Sequence, residues 1–134
     1  MNTIEIYSHL DPQQFGNLAK TITNQIIIIK LGAEWCGPCK KSKPQVNEWF
    51  QKIMTENKGK FLIFDLDVDE SMELYGFFKR QKMVNGIPVI LAYYPIINSE
   101  KTKIFIPDDS YTGSDPSQIN ELFTRIINYS KTLK

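Results

Sequence analysis

Sulfur and imidazole are both scarce in this sequence: its 134 residues include two cysteines and one histidine. A structural zinc site usually takes four cysteine or histidine ligands, and His9 lies far from both cysteines in sequence, so no metal or other cofactor is expected. His9 itself, with no nucleophile near it, reads as a loop residue. Charge of one sign is also missing. The formal net charge of +1 supplies no broad basic field, which excludes general nucleic-acid or membrane-surface binding. Long hydrophobic runs are absent, the longest being Ile26 to Ile29, too short to cross a bilayer. The stretch MNTIEIYSHLDPQQF shows no basic leader followed by an apolar core, so a soluble, cytoplasmic protein is expected. Hydrophobic residues at 42% and charged residues at 23% give a globular balance, enough to bury a core without covalent staples.

What is present is well punctuated. Ile4 and Ile6 alternate with polar neighbours and predict a short first strand. DPQQFGNLAKTI predicts a helix, with Asp11 as cap, Pro12 at the first helical position and Gln14 closing the box. Phe15, Leu18, Ala19 and Ile22 then share one face. The same grammar recurs at Asp115, Pro116 and Gln118, ahead of the stripe Ile119, Leu122, Phe123 and Ile126. Apolar runs at 26–31, 61–66 and 89–93 predict strands covered on both faces, and a weaker one is predicted at 103–106. Val46, Trp49, Phe50 and Ile53 stand at helical spacing after the cysteines despite Pro44, and 70–81 predicts a further helix containing Gly76. Residues 98–102 and 107–114 read as surface loops. The order strand, helix, strand, helix, strand, helix, strand, strand, helix predicts an α/β fold, a central mixed β-sheet flanked by helices on both faces with an antiparallel edge.

Both cysteines fall in LGAEWCGPCKKSKP, separated by Gly37 and Pro38. A loop this small removes little entropy from the unfolded chain, so a purely structural bridge is a poor explanation. A strand running into Cys36 with a helix starting there directs unpaired N–H groups and the positive helix end at that sulfur. Such settings lower a thiol pKa from roughly 8.5 to about 7 or below. Cys39, one turn on, is placed to attack a mixed disulfide formed at Cys36 and release the partner reduced. Two core thiols, half a zinc site and a cluster shared across a dimer are the competing readings of the pair. The strand-to-helix setting and Trp35 favour redox use.

The segment AEWCGPCK resembles the active site of the thioredoxin family residue for residue, and NGIPVIL resembles the segment carrying that family's cis-proline. The resemblance runs from about Ile4 to Asn128 and implies one thioredoxin-like domain over 1–134 with the thioredoxin fold. It implies a protein-disulfide oxidoreductase in which Cys36 is the nucleophile and Cys39 the resolving thiol. Trp35, Gly37, Pro38, Ile87, Pro88 and Gly113 would frame the groove for an extended client peptide. The implied partners are client proteins with disulfides and a reductase or other electron donor, with the chain acting as a monomer. A second reading keeps the fold but makes the groove a protein-binding module or assembly factor in which redox cycling is incidental.

The chain departs from the family at one buried position. Aligned on the cysteines, the family's buried aspartate falls on Lys30, and the lysine expected on the neighbouring strand falls on Asp65. The two charges are expected to have traded strands. Asp65 would then accept the proton of the resolving thiol and Lys30 would be its counter-charge, favouring thiolate and a more oxidising couple. Lys40, Lys41 and Lys43 read as a solvated helix face, and the acidic run DLDVDE as a strand end and helix start.

Overall fold

A computed structural model of the chain describes residues 6–56, 59–95 and 104–133. Its elements alternate in the predicted order: β1 (Ile6–Tyr7), α1 (Pro12–Thr21), β2 (Ile26–Gly32), α2 (Gly37–Glu56), β3 (Phe61–Asp67), α3 (Met72–Arg80), β4 (Val89–Tyr93), β5 (Asp109–Thr112) and α4 (Pro116–Ser130). The five strands form one mixed sheet in the order β1-β3-β2-β4-β5. The pairs β1–β3 and β2–β3 are parallel, whereas β2–β4 and β4–β5 are antiparallel.

The run of isoleucines in β2 shows why the sheet is covered on both sides. Successive side chains of a strand point to opposite faces. Ile27, Ile29 and Leu31 enter one core with Phe15 of α1 and Leu74 and Phe78 of α3. Ile26 and Ile28 enter the other with Val46, Phe50 and Ile53 of α2 and Ile119, Phe123 and Ile126 of α4. Lys30 comes next on that second face and Gly32 follows it, so the core on the α2 side gives way to a charge and then to open backbone.

The caps form as the sequence directs. Asp11 Oδ1 accepts from the Gln14 N–H at 2.7 Å while Gln14 Oε1 accepts from the Asp11 N–H at 3.0 Å. At α4, Asp115 Oδ2 accepts from the Gln118 N–H at 3.0 Å, and the Asp115 N–H donates instead to the Tyr111 hydroxyl at 3.1 Å. α2 runs through Pro44 without a break. α3 is shorter than predicted, Met72–Arg80 rather than 70–81.

One strand is misplaced by the sequence reading. Residues 104–106 form a turn, and the last strand is Asp109–Thr112, inside the segment read as a loop. Its place is fixed by pairing with β4 and by polar contacts rather than by an apolar run. The Asp108 N–H donates to the Ala92 carbonyl at 2.9 Å, and the Asp109 carboxylate takes both Arg125 Nε and Nη2 of α4, at 2.8 and 3.0 Å. Phe105 packs on Phe77 and its carbonyl accepts from the Tyr93 hydroxyl at 2.8 Å, which uses its apolarity without a strand. Ile4, Lys103 and the loop read at 98–102 lie outside the described residues.

Candidate active site

Cys36 stands between the end of β2 and the start of α2. Its carbonyl accepts the first intrahelical bond, from the Lys40 N–H at 3.1 Å, which makes it the helix cap. Its sulfur occupies the place of a capping oxygen: the Cys39 N–H donates to Cys36 Sγ at 3.2 Å. Pro38 has no N–H to give, so the first turn presents its donors at Gly37 and Cys39. Cys36 and Cys39 are joined by a disulfide, with Cα atoms 5.2 Å apart. Both are buried in this form, at 6% and 5% exposure, while Trp35 beside them is 68% exposed.

A second loop closes on the sulfurs from β4. The Ile87–Pro88 peptide bond is cis, and the Ile87 carbonyl oxygen lies 4.0 Å from Cys36 Sγ. The Pro88 carbonyl accepts from the Gly113 N–H at 2.9 Å, tying the start of β4 to the residue after β5. Gly113 has φ +139°, and a Cβ there would stand 2.6 Å from Tyr111 Oη, so two independent constraints require glycine. The structure thus gathers Trp35, Cys36, Gly37, Pro38, Ile87, Pro88 and Gly113 at one end of the sheet.

Beneath the turn, Lys30 and Asp65 are register partners on β2 and β3. Lys30 Nζ lies 3.5 Å from Asp65 Oδ1, with the lysine side chain 6% exposed and the carboxylate 32%. They line a cavity of about 440 Å³ together with Gly32, Cys39, Lys40, Lys43 and Asp67. Cys39 lies against the strand at Gly32, where an added Cβ would meet Cys39 Sγ at 3.5 Å, an ordinary van der Waals contact. Lys30 and Asp65 are therefore a geometric pair on the Cys39 side of the sheet. At 6% exposure the Lys30 side chain lies in the sheet beside Asp65 rather than in open solvent.

Sequence reasoning missed Asp69. Its Oδ2 accepts from the Trp35 indole Nε1 at 2.8 Å, across 34 residues of sequence. The available signal was topological: Trp35 and Asp69 both follow the carboxyl ends of adjacent parallel strands, where loops meet.

Comparison with known proteins agrees with this geometry. A family model described as Thioredoxin matches residues 7–113. "Thioredoxin 1" of Chlorobaculum tepidum is 30% identical over 67 residues, covering 50% of this chain and 58% of that protein. The "Bifunctional thioredoxin reductase/thioredoxin" of Mycobacterium leprae is 30% identical over 71 residues, covering 53% of this chain and 14% of that protein. The crystal structure of Malassezia sympodialis thioredoxin (Mala s 13) superposes with a TM-score of 0.63 at 20% identity, covering 93% of this chain and 96% of that one. The matched stretch spans little more than half the length of the first of these relatives.

Proposed function

The chain belongs to the thioredoxin family, and from that premise we propose that it is a thiol-disulfide oxidoreductase that reduces protein disulfides. The observation that carries the reading is the capping of α2 by a sulfur. A hydrogen-bond donor 3.2 Å from Cys36 Sγ and the positive end of a 20-residue helix both favour thiolate at that atom. In the reduced chain, the Cys36 thiolate attacks one sulfur of a client disulfide, forming a mixed disulfide and expelling the other client sulfur as thiolate. Cys39 then loses its proton and attacks Cys36 Sγ. The Cys36–Cys39 bond forms, the mixed bond breaks, and the client leaves with both sulfurs reduced.

Trp35, Gly37, Pro38, Ile87, Pro88 and Gly113 frame the client segment, with the Ile87 backbone beside the reacting sulfur offering it a strand-like partner. Asp65 receives the Cys39 proton through the cavity they share, and Lys30 holds the carboxylate in place. Regeneration requires two electrons from a reductase, a pairing that the reductase–thioredoxin relative carries in one polypeptide. The chain acts as a cytoplasmic monomer with a single domain over 1–134. Among the described residues no helix is long and apolar enough to cross a membrane.

Insulin reduction with dithiothreitol or a reductase as donor tests the proposal. The wild type is expected to accelerate precipitation of the insulin B chain and Cys36→Ser to lose that acceleration. Equal activity of the two removes Cys36 from the mechanism.

A further inference from the structure

Two helices of this chain open on Asp-Pro-x-Gln, and the structure finishes their caps differently. At α1 the Gln14 side chain takes the Asp11 N–H at 3.0 Å and closes the box. At α4 the glutamine stands in the same place, three residues after Asp115, yet the Asp115 N–H goes to the Tyr111 hydroxyl at 3.1 Å. Asp115 still caps the helix through its own side chain, so the bond to Tyr111 adds something a cap does not supply. It ties the start of α4 back to β5.

Between the two ends of that tie lies Gly113. The Tyr111 ring packs against the core on the α4 side of the sheet, and its hydroxyl end lies against Gly113. A Cβ on Gly113 would stand 2.6 Å from Tyr111 Oη and 3.0 Å from Tyr111 Cζ. Glycine at φ +139° has no side chain to anchor it, so its neighbours must fix the backbone of segment 113–115. The Gly113 N–H donates to the Pro88 carbonyl at 2.9 Å, and Gln45 Nε2 of α2 donates to the Pro116 carbonyl at 2.8 Å. Tyr111 Oη holds the stretch between those two bonds. Pro88 follows Ile87, whose carbonyl lies 4.0 Å from Cys36 Sγ, so the contacts run from Tyr111 to the edge of the reacting sulfur.

We propose that Tyr111 is a positioning residue for client binding, its hydroxyl holding segment 113–115 in place at the edge of the client groove. The inference rests on the reading that the chain exchanges disulfides with proteins and that Gly113 frames their peptide. A groove wall fixed in advance need not be ordered when a client arrives, so the hydroxyl contributes to client association. It contributes nothing to the sulfur chemistry, because thiolate at Cys36 is favoured by the Cys39 N–H and the start of α2. A disulfide too small to reach segment 113–115 is therefore indifferent to it. Phenylalanine at this position keeps the packed ring and deletes only the tie to Asp115.

The experiment measures second-order rate constants for oxidation of the pre-reduced chain by two disulfides, insulin and hydroxyethyl disulfide. Tyr111→Phe is expected to slow the reaction with insulin about fivefold, the effect of one lost hydrogen bond, and to leave that with hydroxyethyl disulfide unchanged. Lys60→Met is the control for general loss of stability. It removes the bonds that Lys60 Nζ gives the Ser130 and Leu133 carbonyls, both at 3.2 Å, and is expected to change neither rate. Equal rates for Tyr111→Phe and wild type overturn the proposal. So does an equal fall with both disulfides, which assigns the effect to the sulfurs, or a matching fall with insulin in Lys60→Met, which assigns it to stability. Amide hydrogen exchange gives a second measure: the Asp115 N–H is expected to exchange faster in Tyr111→Phe, and unchanged exchange also overturns the proposal. A wild type that reacts with neither disulfide instead sinks the oxidoreductase reading, and the role of Tyr111 falls with it.

Discussion

Lys30 follows Ile26 and Ile28 on the face of β2 that meets α2, and burying an ammonium there costs several kcal/mol unless a partner compensates. Asp65 is that partner at 3.5 Å, and both line the cavity that holds Cys39. A cation near the sulfurs stabilises thiolate, which exists only in the reduced state, and a carboxylate opposes it. Removing the cation should make the couple more reducing and removing the carboxylate more oxidising. Equilibration with a glutathione buffer is expected to show the oxidised form of Lys30→Met favoured about tenfold over wild type, roughly a 30 mV fall in potential. Asp65→Asn is expected to shift in the opposite direction. Shifts of the same sign in both variants would mean that lost packing, not charge, sets the potential. This pair was legible because it needs only the strand register, which two apolar runs of similar length supply. The Trp35–Asp69 bond was not, because it depends on how two loops turn after their strands end.

The helices and central strands were legible for a reason visible in α1 and β2. Each is specified by local chemistry, a capping box in one and an uninterrupted apolar run in the other, and the tertiary structure adds to that preference rather than opposing it. β5 is the contrary case. Its residues Asp109 and Tyr111 face α4 while Ser110 and Thr112 face solvent, so no apolar pattern announces it, and the ladder with β4 and the Arg125 fork hold it. Phe105 and Ile104 drew the reading upstream because their apolarity serves the core from a turn. Local specification of α1 has a measurable size. Asp11→Ala removes the acceptor for the Gln14 N–H and should lower unfolding stability by about 1 kcal/mol. The check is a lower urea midpoint at unchanged m-value, and a midpoint within error of wild type would show that the box is redundant with the packing of Phe15 and Ala19.

Across the whole molecule, two consecutive tyrosines at the end of β4 serve the two cores on opposite faces of the sheet. Tyr93, at the end of β4, is buried among Phe15 and Phe78 and donates to the Phe105 carbonyl. Tyr94 stacks on Tyr129 of α4 with ring centroids 3.8 Å apart. Burial, reinforced by Asp109 and Asp108, pushes the Tyr94 hydroxyl up from its usual 10 to about 12, and burial with Asp108 raises Tyr93 as well. Raised values mean that the fold favours the protonated phenols. The unfolded chain releases these protons near pH 10, whereas folded Tyr94 holds its proton until about pH 12. Within that interval the unfolded state binds fewer protons, so stability is intact below it and falls as pH rises through it. The thermal midpoint is therefore expected to decline steeply from pH 10 to 12, and less steeply in Tyr94→Phe, which keeps the ring stack and loses the titrating group. Parallel declines in the two proteins would assign the alkaline transition to other groups and leave Tyr94 a packing residue alone.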